Sequence, residues 1–396
     1  MTKEDFWIHK IKAFLSTSPV ISLFPNDKEQ VKSFVATALN LEPSEIDLDS
    51  LEETKAIAKG FDIPPFIENI LLTNEIRENL VFKHPLSGEE IKLDLDVSKI
   101  DKDKINNLIN DSIAEIRKEV KEQKNLDNRE EFNKRLFFAL WRKLPEIIRE
   151  KEAKTDEAKI GKYWDWLPAD PRIPTHSVWE HSSIVSAIAG AESEPSLLIF
   201  TIASPQQFIS AARRTQDSWM GSFLYSFLMW EAIKTISDEF GPDCFLFPDL
   251  RHQPLVDTFL KKEKGIQGLP NYSRSDFQVA NFPNILTAIL PANKAADAIK
   301  DAQRAMKKKW KEIAEIIRVK IEHTLQDGLQ IEDTSNWKRI WNRQIDNFLS
   351  QNVFWVVCPW QDGEKNPLEV YKKLFNTDDT KTKKRIDDFE KLLETT

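Results

Sequence analysis

Cysteine, glycine and long apolar runs are all in short supply in this chain, and each shortage closes off a class of protein. The two cysteines, Cys244 and Cys358, stand far apart and form no Cys-x-x-Cys pair, which excludes a zinc ribbon within the chain. So few thiols also suit a reducing compartment. Ten glycines against twenty prolines in 396 residues argue against a loop-rich all-β design. No apolar run approaches the ~20 residues of a membrane span. The opening "MTKEDFWIHKIKAFLSTSP" lacks the apolar region and cleavage site of a secretory signal. A cytoplasmic protein with no membrane partner is the expectation. Phosphate-loop, dinucleotide and Ser-His-Asp fingerprints are missing as well. A net charge of −8 means that the chain as a whole is no electrostatic glove for nucleic acid, although a local basic patch remains open.

What is there is large and aromatic. Hydrophobic residues make up 41% of the chain, with 12 tryptophans and 24 phenylalanines, enough for extensive cores, large interfaces or both. Helical spacing of Phe6, Ile11, Phe14 and Leu15 predicts a first helix that ends near Pro19. "KHPLSGEEIKLDLDV" reads as a turn and a short strand. Residues 100 to 153 are charge-dense and helical, with Ile105, Leu108, Ile109 and Ile113 on one stripe, and continue into an amphipathic helix through "FNKRLFFALWRKLPEIIREKE". From residue 191 the texture changes. "EPSLLIFTIASP", "DCFLFP", "NILTAILP" and "NVFWVVCPW" are four strand candidates. "QQFISAARRTQDSWMGSFLYSFLMWEAIKTISDEFG" reads as one continuous helix stopped at Gly241, and "KAADAIKDAQRAMKKKWKEIAEIIRVKIEHTL" as a second long helix. The order strand, helix, strand, strand, helix, strand is that of a ferredoxin-like βαββαβ unit. The fold class is therefore expected to be α+β: a mostly helical domain over residues 1–190, then a ferredoxin-like domain with helical additions over 195–396.

"ADPRIPTHSVWEH", residues 169 to 181, concentrates acids, an arginine and two histidines. A metal site would use Asp170, His176, Glu180 and His181. If the segment from 176 to 190 is helical, His176 and His181 lie about 140° apart around the axis and do not share a face, unlike the i, i+4 histidines of a helical metal pair. The structural alternative pairs Asp170 with Arg172, leaves Pro171 and Pro174 to fix an extended entry, and spends the histidines on backbone.

Four motifs in one order then carry a family resemblance: "ADPRIPTHSVWEHSSIVSAIA", "FISAARRTQDSWMGSFLYSFLMWEAI", "FGPDCFLFPDLRHQPLVD" and "FPNILTAILP". Together they resemble the large palm-domain subunit of type III CRISPR effector complexes, the Cmr type; the first ~165 residues resemble it only weakly. The resemblance implies a cytoplasmic, RNA-guided antiviral complex whose large subunit has an HD nuclease-like domain and two cyclase-like palms, with a zinc element between the palms. It implies a cyclase that makes cyclic oligoadenylates from ATP when target RNA is bound. This chain departs from the pattern twice. Ser16 and Thr17 stand where the HD pair is expected, and hydroxyls are poor ligands for a transition metal, so the HD-like domain is read as degenerate. There is also no Gly-Gly pair, hence no Gly-Gly-Asp-Asp turn; the acid pairs Asp378–Asp379 and Asp387–Asp388 sit in a charged tail. The chain is expected to end where the zinc element and second palm would begin.

The resemblance also implies candidate sites. Ser218, Ser222 and Ser226 lie at i, i+4 and i+8 beside Gly221, and the family places this helix against the second palm and an adenine, with Phe223 or Ile209 as apolar neighbours. Small residues equally suit close helix packing. Arg213 and Arg214 suit phosphate or RNA backbone, or a surface pair from Arg213 to Asp217. Lys307, Lys308 and Lys309 beside Trp310 suit a strand of RNA, or a solvated helix face with the indole in the core. Arg251 and His252 in "PDLRHQPLVD" suit phosphate binding, acid chemistry or an interface. The expected partners are guide RNA, target RNA, neighbouring effector subunits and a chain bearing the second palm. ATP with Mg²⁺ is expected only once that palm is supplied. Scaffold, enzyme half, and residual metal-dependent nuclease built on His176 and His181 are the three functional readings.

Overall fold

The computed structural model describes residues 3–360, apart from 25–26, 56–57, 59–79, 85–86, 124–127, 156–159, 192–193, 204, 329, 331–332 and 334. The acid pairs at 378–379 and 387–388 lie outside the described residues. The chain divides into a compact unit of Met1–Val357 and a second unit of Cys358–Thr396. Residues 190–195, the expected domain boundary, fall inside the first unit.

The first half is helical, and its side chains explain where each helix begins. α1 (Lys3–Phe14) is followed by α2 (Lys28–Leu39), whose N-cap Asp27 accepts from the amides of Glu29 and Gln30. A short hairpin of β1 (Val81–Lys83) and β2 (Glu90–Lys92) supplies the strand read from "EEIKLDLDV" and a partner for it. α3 (Lys102–Lys121) is capped by Asp101 and buries Ile105, Ile109, Ile113, Ile116 and Val120, a stripe at helical spacing. α4 (Arg129–Ala153) starts at Asn128 and buries Phe137, Phe138, Leu140, Trp141 and Leu144. Trp7 of α1 sits 5.7 Å from both Phe137 and Phe138, ring centre to ring centre.

A second hairpin, β3 (Pro168–Asp170) and β4 (Ile173–Ser177), leads into α5 (Val178–Gly190). The helix begins at 178 and not 176, because Ser177 and Glu180 form a reciprocal capping box: the Ser177 hydroxyl accepts from the Glu180 amide and the Glu180 carboxylate accepts from the Ser177 amide.

The four expected strands all form, as β5 (Pro195–Ile202), β6 (Phe245–Phe247), β7 (Ile285–Pro291) and β8 (Val353–Pro359), in one sheet of order β6-β7-β5-β8. β5 and β7 pair antiparallel with Leu198 opposite Ala288. Leu198, Phe200 and Ile202 are buried while Leu197, Ile199 and Thr201 remain half-exposed, the period-two pattern of a strand with one covered face. The single long helix expected over 206–241 is two helices. A short α6 (Pro205–Ser210) and the long α7 (Thr215–Phe240) are separated by residues 211–214, and Arg214 takes an extended conformation at the N-cap. Apolar periodicity runs through that break, so it carried no sign of it. α8 (Pro254–Glu263) lies between β6 and β7. α9 (Ala292–His323) packs along α7, and α10 (Ser335–Asn352), for which no expectation was made, precedes β8.

Gly241 ends α7 with φ +96°, and a Cβ there would meet the Asp243 carboxylate at 2.3 Å. That crowding has a cause. Asp243 is fully buried and receives the ammonium of Lys10, from α1, at 2.6 Å. The ammonium also lies 5.0 Å from the centre of the Phe137 ring. Burial pushes the Asp243 carboxyl above the ordinary carboxylate range, and Lys10 opposes that push.

Removing Lys10 leaves a buried carboxylate uncompensated. Lys10→Met is therefore expected to lower stability by about 3–5 kcal/mol in urea unfolding at neutral pH. The folded state then holds a proton on Asp243 that the unfolded chain releases, so the deficit should shrink as pH is lowered. Adding Asp243→Leu should recover much of the loss. A Lys10→Met protein as stable as wild type would refute the assignment.

Candidate functional site

α7 divides its surface between two sets of side chains. Ser218, Ser222 and Ser226 form the hydroxyl stripe, but they differ in availability. Ser226 is 5% exposed, and its oxygen accepts the Phe282 amide at 2.8 Å. Ser222 is half-buried and its hydroxyl donates back to the Ser218 carbonyl at 3.3 Å. Gly221, buried beside them, is where α6 makes its close approach: a Cβ at that position would meet Ile209 at 3.4 Å and Phe208 at 3.5 Å. Ile209 therefore stands directly beside the stripe, as expected, and Gly221 serves helix packing. Phe223 belongs to a different row. Trp219, Phe223 and Phe227 stack along the helix with centroid spacings of 5.8 and 6.0 Å.

The basic candidates separate. Arg213 and Arg214 are exposed in the break before α7, and neither pairs with Asp217 or with another acid among the described residues. The surface pair from Arg213 to Asp217 does not form. On α9, Lys307 and Lys308 are exposed and Lys309 pairs with Glu312 at 2.7 Å. Trp310 is half-buried, donates its indole N–H to the Ile345 carbonyl, and lies 4.8 Å from Phe348, so the indole anchors α10. Arg304, Lys307, Lys308 and Lys311 share one open groove on α9 with Glu312 and Glu315.

The two remaining motifs converge on one cavity. About 490 Å³ of space lies between α4, the β3–β4 hairpin, α5 and the loop after β6, bringing His176 and Glu180 together with Arg251 and His252. Its floor is a buried ionic cluster. Arg142 donates to both oxygens of Asp257, at 2.7 and 2.8 Å, and to Glu146 at 2.8 Å. Tyr272 donates to Asp257 at 2.7 Å, and the His252 ring lies 3.2 Å from Glu146. Burial opposes the charge on Arg142, but the Asp257 and Glu146 carboxylates more than compensate and hold its pKa above the ordinary guanidinium value. Arg251 is half-buried, lies 5.2 Å from the centre of the Trp141 ring, and donates to Ser183 at 3.3 Å.

His176 lies on β4 and not on a helix, and its ring comes within 6.3 Å of His181. The expected 140° separation does not apply, because Ser177 moves the helix start past His176. Both Asp170 oxygens are taken by Arg172, at 2.9 and 2.5 Å, and the Glu180 carboxylate accepts the Ser177 amide, so both candidate carboxylates already have donors with which a metal would compete. The pairing also holds the Asp170 carboxyl below the usual range against the opposing effect of its burial. Among the described residues no three His, Cys, Asp or Glu side chains cluster as metal ligands. Ser16 and Thr17 are buried just past α1, where the Ser16 hydroxyl donates to the Ala13 carbonyl at 2.7 Å. Sequence reasoning missed the aromatic row on α7 and the Arg142–Asp257 cluster. The row was legible as Trp219, Phe223 and Phe227 at four-residue spacing; the cluster joins residues 115 positions apart and left no local trace.

Arg142→Met should lower stability by about 3–5 kcal/mol, because Asp257 then stays buried without its cation. Tyr272→Phe removes one hydrogen bond and should cost about 1 kcal/mol. Urea unfolding of both variants tests the ranking, and equal losses would contradict it.

Comparison with known proteins adds a likeness over part of the chain. Residues 197–315 match the family model described as CRISPR-associated protein Cmr2, N-terminal. The chain is 29% identical over 225 residues to the CRISPR system Cmr subunit Cmr2 of Pyrococcus furiosus, a match covering 54% of this chain and 24% of that protein. It is 32% identical over 115 residues to the CMR subunit Cmr2 of Saccharolobus solfataricus, covering 26% of this chain and 11% of that one. A solved structure described as type III-B Cmr-beta in the apo state shares the fold, with a TM-score of 0.56 at 19% identity over 97% of this chain and 40% of that one. The chain thus spans about a quarter of the length of the Pyrococcus relative. No helix among the described residues is long and apolar enough to cross a membrane. Residues 197–315 are thus similar to the family described as CRISPR-associated protein Cmr2, N-terminal, and the likeness covers part of the chain and a smaller part of the Cmr2 relatives.

Proposed function

We propose that this chain acts as the first-palm part of the large subunit of an RNA-guided type III-B effector complex. The observation that carries the reading is that the family match over 197–315 takes in most of β5 and all of β6 and β7, three strands of a four-stranded sheet completed by β8. Numbered within the unit, its strand order is second, third, first, fourth, with long helices in the two crossovers. That order supports a ferredoxin-like palm. The buried Ser16 and Thr17 support a degenerate HD-like region, since neither offers a carboxylate or imidazole to a metal.

The chain's role is to scaffold and to shape the base side of a nucleotide pocket. Ser218 and Ser222 would hydrogen-bond an adenine ring, with Ile209, which stands beside the stripe, as the apolar neighbour. Ser226 would act by holding the Phe282 amide and so the chain entering β7. The phosphoryl chemistry of a cyclase needs carboxylate-held Mg²⁺. Hydroxyls and rings on α7 suit a base and not a metal, so the carboxylates would come from a partner palm, and ATP with Mg²⁺ binds productively only in the composite. Arg213, Arg214, Lys307 and Lys308 would lie toward guide or target RNA and neighbouring subunits, with Lys309 held to Glu312.

The purified chain is expected to turn over no ATP. When combined with sister subunits, including one bearing a Gly-Gly-Asp-Asp turn, and with guide and target RNA, it should support cyclic oligoadenylate synthesis, and Ser222→Trp should abolish it. Cyclisation by the 396-residue chain alone, or synthesis untouched by Ser222→Trp, would overturn the palm-half reading. Failure to co-elute with sister subunits and a short RNA would overturn the subunit reading.

A further inference from the structure

The aromatic row on α7 is not used by the nucleotide face. Trp219, Phe223 and Phe227 succeed one another at i, i+4 and i+8 with interplanar angles of 26° and 9°, so the three rings lie nearly parallel. Trp219 is 40% exposed and Met220 beside it is 41% exposed; Phe223 and Phe227 are half-buried. The indole is not free to swing, since its N–H donates to the Gln278 carbonyl at 3.0 Å. The exposed Trp219 continues into the half-buried Phe223 and Phe227 as one apolar strip, the kind of patch that marks an interaction site.

Arginines outnumber acids at the N-terminal end of the row. Arg213 and Arg214 stand at its N-terminal end, and Arg274 stands four residues from the Gln278 that holds Trp219. All three are exposed, and none has an ion-pair partner among the described residues. The neighbouring Asp276 carboxylate is occupied by the amide and hydroxyl of Ser273. Asp217, exposed in the first turn, is the one acid beside the arginines within α7. On a chain of net charge −8, the unpaired Arg213 and Arg214 just before the row outnumber Asp217 there.

We infer that Trp219, Phe223 and Phe227, preceded by Arg213 and Arg214, form a stacking platform for unpaired RNA nucleotides. The inference rests on the reading of the chain as part of an RNA-bound complex. Bases stack on aromatic faces without regard to sequence, and guanidinium groups follow the phosphates. A purely apolar protein partner would leave the arginine charges desolvated and unmatched, a cost that phosphates remove.

The test uses the full chain and fluorescently labelled oligouridylate, with a duplex RNA and an abasic oligomer of the same length as probes. Trp219→Ala is expected to weaken binding of the single strand about 10-fold, and Trp219→Phe to restore most of it. The abasic oligomer should bind weakly to wild type and be unaffected by Trp219→Ala. Arg213→Gln with Arg214→Gln should lower the slope of log affinity against log salt by about 1.4, roughly 0.7 per lost phosphate contact. Equal binding of oligouridylate by wild type and Trp219→Ala overturns the platform, as does equal binding of duplex and single strand. Loss of co-elution with a sister subunit in Trp219→Ala, with RNA affinity unchanged, would make the row a protein interface and overturn it too. Co-elution of the wild-type chain with sister subunits is read separately, so failure of the platform and failure of the subunit reading remain distinct.

Discussion

The buried contact between Lys10 and Asp243 sets the geometry on which the rest of the first unit depends. A lysine from α1 reaches a carboxylate at the turn from α7 into β6, 233 residues away, with neither side chain more than 1% exposed. Space for the lysine stem comes from two glycines. A Cβ on Gly190 would lie 3.1 Å from the Lys10 ammonium, and one on Gly241 would lie 3.1 Å from its Cε. Gly190 closes α5 and Gly241 ends α7, so both helices stop where the lysine passes. An ion pair of this kind adds little net stability over a well-packed apolar alternative, but it tolerates few other arrangements. Its effect is to allow one relative placement of α1, α5 and the start of β6.

The Arg142–Asp257 pair repeats this logic on the other side of α4. Arg142 and Asp257 are both essentially inaccessible, and the pair ties the N-terminal helices to α8, between β6 and β7. Between the two ion pairs runs an aromatic core of Trp7, Phe137, Phe138 and Phe259, contributed by residues on both sides of position 190. Sheet and helical half therefore share one interior. The cavity beside Arg251 is a consequence: it opens where the hairpin, α5 and the loop after β6 meet above the second pair.

Local signals in the chain were reliable where a single element was enough to produce them. All four sheet strands were legible because β-branched and aromatic residues alternate between proline and glycine stops. Gly241 announced the end of α7, and the isoleucine stripe announced α3. What failed needed knowledge of partners. The break at 211–214 interrupts no apolar spacing, so α6 and α7 read as one helix. The histidine geometry was misjudged because a capping box moved a helix start by two residues and left His176 on a strand. The candidate sites were legible as residue types but not as a grouping: Ser226 is set apart from Ser222 by its burial and by its bond to the Phe282 amide, 56 residues away.

α7 shows why one helix can serve several ends without compromise. Residues at i and i+4 share a face, while their immediate neighbours are turned about 100° from them. The stripe from Ser218 and the row from Trp219 therefore run side by side along the helix without interfering. Between them, Gly221 admits α6 closely enough that Ile209 joins the hydroxyl side. Deeper in the helix, Leu228, Met229, Ala232, Ile233 and Ile236 are buried, so the C-terminal half is core. The N-terminal half leaves Trp219 and Met220 exposed, just after the exposed Arg213 and Arg214. A helix anchored at one end by packing and by the Lys10–Asp243 turn can present its other end rigidly. A rigid presentation loses less entropy on binding than a mobile loop carrying the same residues.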